Sequence, residues 1–110
     1  MPPAVPSRCV PDAPLLDPDT LRARLATLPD WTLVGDGAAL VRTFRFGNYH
    51  ETMAFVNAVA WIAHAQDHHP DLEVHFDRVA VRWSSHDAGG LTDNDVVCAA
   101  SVDALLRARI

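Results

Sequence analysis

The chain has 110 residues, 49% of them hydrophobic and 21% charged, a balance that suits one globular domain and excludes wholesale disorder. Its formal net charge is -5, from 14 acids against 9 bases, which argues against nucleic acid as a direct electrostatic partner. All nine bases are Arg, so neither a Schiff-base lysine nor a P-loop lysine is available.

No apolar run approaches the ~18–20 residues that span a bilayer. The chain does not open on a basic stretch followed by an apolar core, so the expectation is a cytoplasmic protein with no secretory signal and no membrane partner. Cys9 and Cys98 are far apart and form no CxxC or zinc module. A structural disulfide between them is the less favoured reading without a secretory context; the favoured one takes Cys98 as a small apolar residue on a helix and Cys9 as incidental.

Residues 1–16 carry five of the eight prolines and read as a flexible arm with no part in chemistry, leaving 17–110 as the single domain. Asp17-Pro18 is an N-cap followed by a proline suited to the first helical position. Leu21, Leu25 and Leu28 follow at helical spacing up to Pro29. Trp31–Val34 and Ala39–Phe46 are strands joined by Gly35-Asp36-Gly37, a hairpin turn. In the second strand Leu40, Phe44 and Phe46 share a face that Arg42 interrupts.

Asn48, with Glu51 three residues on, marks the start of a second helix. Its apolar stripe is Tyr49, Met53, Val56, Ala60 and Ala63, widened by Phe55, Val59 and Ile62. The helix ends before Pro70, which puts His68 and His69 at its C-terminal end or just beyond. Leu72, Val74 and Phe76 alternate with polar residues as one strand, and Val79, Val81 and Trp83 as another, with a short turn at Asp77-Arg78. The small-residue loop 84–90 leads to Thr92, which caps a last helix running to about Arg109. The order α-β-β-α-β-β-α favours an α+β fold, an antiparallel sheet with helices on one face.

Histidine is the unusual component: six in the chain, four of them between His64 and His75, with His86 beyond. Imidazole is the side chain whose ordinary pKa, near ~6.5, places proton exchange close to neutrality. Two of them can divide the work, one taking a proton while the other delivers one. Asp67 can orient a neighbouring ring and set its tautomer. His64 and His68 also have a metal-ligand spacing on a helix, and with His86 they make a third, less favoured reading as a metal site. His50 and His75 read as surface residues. Asp95, three residues after Thr92, is either the far half of a helix cap or a catalytic group. Phe76 and Trp83 suit the core at least as well as a ligand platform.

His68-His69-Pro70, five residues to Phe76, nine more to His86 and eight more to Asp95 form a set of spacings that resembles the pterin-4a-carbinolamine dehydratases. Leu28-Pro29-Asp30-Trp31, Phe44-Arg45-Phe46 and Ala54-Phe55-Val56-Asn57 extend the resemblance over roughly residues 17–108. It implies an α+β fold with a four-stranded antiparallel sheet backed by helices. It also implies an enzyme that removes water from 4a-hydroxytetrahydropterin to give quinonoid dihydropterin, in the recycling of tetrahydropterin. By the same resemblance His68, His69 and His86 are the catalytic residues, with Asp67, Ser84, Ser85, Asp87, Phe76 and Asp95 at the substrate.

No metal and no organic cofactor is implied, because the pterin is the substrate. The implied assembly is a homo-oligomer, a dimer or a dimer of dimers. Many members carry Glu where this chain has His64, so His64 is a further candidate proton donor. Animal members tend to have Tyr where Phe76 stands. Both departures bear on rate and pterin preference. The competing reading is a non-catalytic binding or assembly module. The same fold dimerises a homeodomain transcription factor in animals, and bacterial relatives assist assembly of carbon-fixation enzymes. Those assembly relatives have generally lost catalytic histidines, and this chain keeps all three.

Overall fold

The computed structural model describes residues 5–107. Helix α1 spans Pro18–Leu25, strand β1 Thr32–Val34, β2 Ala39–Arg45, helix α2 Tyr49–Gln66, β3 Asp71–Val74, β4 Arg78–Trp83, and helix α3 Asp93–Arg107. A single 3-10 turn, His86–Ala88, lies between β4 and α3. The strands form one antiparallel sheet in the order β1-β2-β4-β3, and the helices cover one face.

Local chemistry accounts for the boundaries. Asp17 Oδ1 accepts the Thr20 N–H at 2.8 Å, and Pro18 opens α1, which stops at Leu25, a turn short of Leu28. Leu28 is still buried in the core. The β1–β2 turn holds Gly35, Asp36 and Gly37 at positive φ, the left-handed region that Gly and Asp tolerate best. At the start of α2 the Glu51 N–H donates to Asn48 Oδ1, while Glu51 Oε1 takes the Gly47 N–H, so two otherwise orphaned amides are satisfied.

The core lies between the sheet and α2 and α3. Leu40 and Phe44 of β2 and Val79, Val81 and Trp83 of β4 meet Phe55, Val59 and Ala63 of α2 and Val96, Ala99 and Val102 of α3. The alternation expected for β4 holds over its whole length. On α2 the buried line is Thr52, Phe55, Val59 and Ala63, not the stripe through Tyr49 and Ala60, which are exposed. The widening residues thus mark the true centre of the face. Thr52 is tolerated in the core because its hydroxyl bonds the carbonyls of Asn48 and Phe76 at 2.9 Å each.

Phe76 does not continue β3. The chain turns over residues 75–77, with the His75 N–H bonded to the Arg78 carbonyl, and Phe76 is 64% exposed, stacked on Tyr49. Arg42 interrupts the apolar face of β2 because it reaches α3. Its Nη1 lies 2.7 Å from Asp103 Oδ1, and the Trp31 indole N–H donates to the same carboxylate at 3.0 Å.

Residues 9–16, expected as a flexible arm, lie against the domain. The Leu16 N–H donates to the Leu91 carbonyl, Leu15 bridges Thr92, and the Cys9 N–H donates to Gln66 Oε1. Proline blocks a helix here and leaves an irregular strap, turned at Pro11-Asp12, that finds partners on α2, on α3 and at Leu91 and Thr92 just before α3.

Candidate active site

Two segments meet where α2 ends and β4 hands over to α3. Asp67 closes α2 in the left-handed conformation, at φ 51°, and the His68 N–H bonds back to the Ala63 carbonyl. The chain therefore leaves the helix axis before His68. On the other side, Ser85 pairs with Gly90 across the 3-10 turn, and Gly89 at φ 79° brings the chain round to Thr92. Asp67, His68, His69, Ser84, Ser85, His86 and Asp87 line one cleft of about 890 Å³ between these segments.

His68 is the anchored imidazole. Its ring stacks on Trp83, with centroids 5.6 Å apart and planes 13° from parallel. Its Nε2 lies 2.7 Å from Asp95 Oδ1. Asp95 has no exposed surface, and its other oxygen accepts from Ser85 Oγ at 2.7 Å and from the Thr92 N–H at 3.0 Å. Since the Ser85 hydroxyl proton goes to Asp95, Ser85 accepts from Thr92 Oγ1 at 2.9 Å, and Thr92 Oγ1 in turn accepts the Asn94 N–H. An ionised Asp95 makes Nε2 the protonated nitrogen and leaves Nδ1 for proton exchange. The hydrogen bond to Asp95 raises the pKa of His68 above its ordinary value, against the opposing effect of burial.

His86 and His69 are exposed on the cleft wall. The nearest recorded partner of His86 is Ser84 Oγ, 3.5 Å from Nε2. The site thus offers one imidazole held by a buried carboxylate and two that are open to solvent.

The remaining sequence candidates fall elsewhere. Asp95 is not a wall of the cleft. It is at once the far half of the α3 cap and the support of His68. His64 is exposed on α2 against Trp61, with ring centroids 5.8 Å apart, and takes no part in lining the cleft. His64 and His68 do not share a helix face, because Asp67 ends the helix between them. Phe76 lies by the start of α2, about 27 Å of helix away from Gln66 at its end. Among the described residues no group of three or more His, Cys, Asp or Glu side chains is placed to share a metal ion.

The sequence reading missed the strap. Cys9–Leu15, with Gln66, Thr92 and Asn94, complete the cleft. Asn94 holds Val10 at two points, accepting its N–H at 2.9 Å and donating to its carbonyl at 2.8 Å. The available signals were the apolar Leu15-Leu16 pair and a lone Cys opposite another in α3.

The chain matches the family model described as pterin 4 alpha carbinolamine dehydratase over residues 14–105. Relatives that carry that family's name include a Chromobacterium violaceum protein, 59% identical over 95 residues, covering 86% of this chain and 85% of the relative. Another, from Stenotrophomonas maltophilia, is 57% identical over 107 residues, covering 94% and 91%. A solved structure described as a transcriptional coactivator/pterin dehydratase from Brucella melitensis is similar with a TM-score of 0.77 at 28% identity, covering 82% of this chain and 96% of that one. A pterin dehydratase-like protein identified as a RuBisCO assembly factor in the alpha-carboxysome is similar at a TM-score of 0.60 and 28% identity, covering 69% and 88%.

Proposed function

The chain belongs to the pterin 4 alpha carbinolamine dehydratase family, and from that premise we propose how its cleft removes water from a 4a-hydroxytetrahydropterin. The enzyme is a dehydratase acting on pterins. The observation that carries the residue assignment is the His68–Asp95 pair at the wall of a cleft that His69 and His86 also line.

Dehydration breaks the C4a–O bond and removes the proton on N5. The leaving hydroxyl needs a proton, and N5 must lose one. His68, held in its charged form by Asp95, is the general acid that protonates the departing oxygen. His86, which among the described residues meets the Ser84 hydroxyl and no carboxylate, is the base that accepts the N5 proton. His69 positions the pterin, with Asp67, Ser84 and Asp87 offering hydrogen bonds to its polar edge. Solvent at the open mouth of the cleft returns both histidines to their starting protonation states.

The same reading carries a cytoplasmic homo-oligomer. No helix of the described residues is long and apolar enough to cross a membrane. Among the described residues β1 and β3 are the edge strands of the sheet, and exposed Tyr49, Val74 and Phe76 offer apolar surface to a second copy. Light scattering tests the assembly, and a monomer at working concentration refutes it. The direct test of function is dehydration of synthetic 4a-hydroxytetrahydropterin by the wild type and by His86→Ala. Equal rates in the two proteins remove His86 from the reaction.

A further inference from the structure

Cys9 Sγ and Cys98 Sγ lie 3.6 Å apart, 89 residues from each other in the chain. Both are free thiols. Cys98 is fully buried in α3, so its position is set by the core. Cys9 is on the strap, outside any helix or strand, and only partly buried. The next six residues of the strap, Val10 to Leu15, form one wall of the cleft. The strap runs close to the 3-10 turn: a Cβ on Gly90 would stand 3.0 Å from Leu15 Cδ2.

We propose that Cys9 and Cys98 are a reversible dithiol–disulfide pair that fastens the strap in place as a wall of the cleft. A disulfide bond is about 2.0 Å long, so the sulfurs must close by about 1.6 Å. The strap supplies that movement, because polar contacts to Gln66 and Asn94 anchor it near Cys9 rather than a helix or strand. The two thiols are unequal. The hydrogen bond from Cys98 lowers the pKa of Cys9, and the charge of nearby His68 acts in the same direction. The same contact and burial raise the pKa of Cys98. Cys9 is therefore the attacking thiolate and Cys98 the resolving thiol.

The oxidant is a peroxide. The Cys9 thiolate attacks one peroxide oxygen, the O–O bond breaks, and the sulfur is oxidised to a sulfenic acid as the peroxide is reduced to water or an alcohol. Cys98 then attacks the Cys9 sulfur. The S–S bond forms, and the hydroxyl leaves as water with the Cys98 proton. A dithiol reductant reverses the pair to two thiols.

The test uses the reduced full chain and hydrogen peroxide. The expected product is monomeric in covalent terms, lighter by two hydrogens, with a peptide map that joins Cys9 to Cys98. Amide exchange at Cys9, Val10 and Leu16 slows by about tenfold or more on oxidation, because opening of the strap is what exposes them. Dithiothreitol restores the original rate, and Cys9→Ser shows neither the mass change nor the slowing. Over-oxidation of Cys9 with Cys98 still a thiol, a disulfide joining two chains, or an intact Cys9–Cys98 bond with unchanged exchange each overturns the proposal. Because Cys98→Ser disturbs the core, the strap variant and the wild-type peptide map decide the matter.

These readouts need no turnover and so stand apart from the pterin reading, on which only the consequence for catalysis rests. With 4a-hydroxytetrahydropterin the oxidised form is slower than the reduced form, because the fastened strap can no longer yield as substrate and product move along the wall it forms. Absence of turnover in the reduced protein fails the dehydratase assignment and leaves the disulfide result standing.

Discussion

Nε2 of His68 lies 2.7 Å from Oδ1 of Asp95, a carboxylate whose second oxygen accepts the Thr92 N–H that opens α3. One buried side chain therefore caps a helix and holds the imidazole of His68. Asp95→Asn separates the two duties, since the amide oxygen still accepts the Thr92 N–H while the charge is lost. In the variant His68 titrates at lower pH than in the wild type, as followed by its imidazole proton resonances. Because the folded pKa of His68 is raised, the pair's contribution to stability is fully present below the ordinary value near ~6.5 and is lost as pH rises through the raised value. Unfolding free energy falls with pH across that window in the wild type, and Asp95→Asn flattens the slope. Identical titration of His68 in the two proteins removes the carboxylate from its role.

Turnover separates the three histidines of the cleft. His68→Ala and His86→Ala each lower kcat by roughly 10²–10⁴-fold, the usual loss of acid–base assistance. His69→Ala raises KM more than it lowers kcat. With His68 as the acid, wild-type activity falls as pH rises through the raised pKa of His68, and that limb moves to lower pH in Asp95→Asn. A high-pH limb that stays in place in Asp95→Asn reverses the assignment of acid and base.

His64→Ala leaves both kcat and the pH profile unchanged, because the ring is exposed against Trp61 and lies outside the cleft. A tenfold fall in kcat, or a displaced limb, shows that His64 supplies a proton after all.

Asp103→Ala lowers stability without touching chemistry. It strands the Trp31 indole N–H, whose residue is 6% exposed, and releases Arg42 from its 2.7 Å contact. Leaving such a donor unsatisfied costs about 1–3 kcal/mol. Urea denaturation measures the loss. Trp31→Phe in the Asp103→Ala background recovers part of it, since no N–H is then left without an acceptor. Equal stability of wild type and Asp103→Ala contradicts the buried network.

Periodicity and capping residues marked the elements of this protein before any coordinate. Asp17-Pro18, Asn48 with Glu51, Gly35-Asp36-Gly37 and the alternation of Val79, Val81 and Trp83 are local signals, and local backbone energetics answer to them. The element order and the antiparallel sheet follow from those signals, and so does the placing of His68 and His86 at the ends of elements. Tertiary structure alone decided the rest. A left-handed Asp67 took His64 off the face of His68. A turn at residues 75–77 carried Phe76 out to Tyr49, and the buried line of α2 was set by what the sheet had to cover. The strap was illegible because proline-rich composition reports only that no helix forms. Where an irregular segment comes to rest depends on partners such as Gln66, Asn94 and Cys98, which lie 57 to 89 residues away and reach it only through the fold.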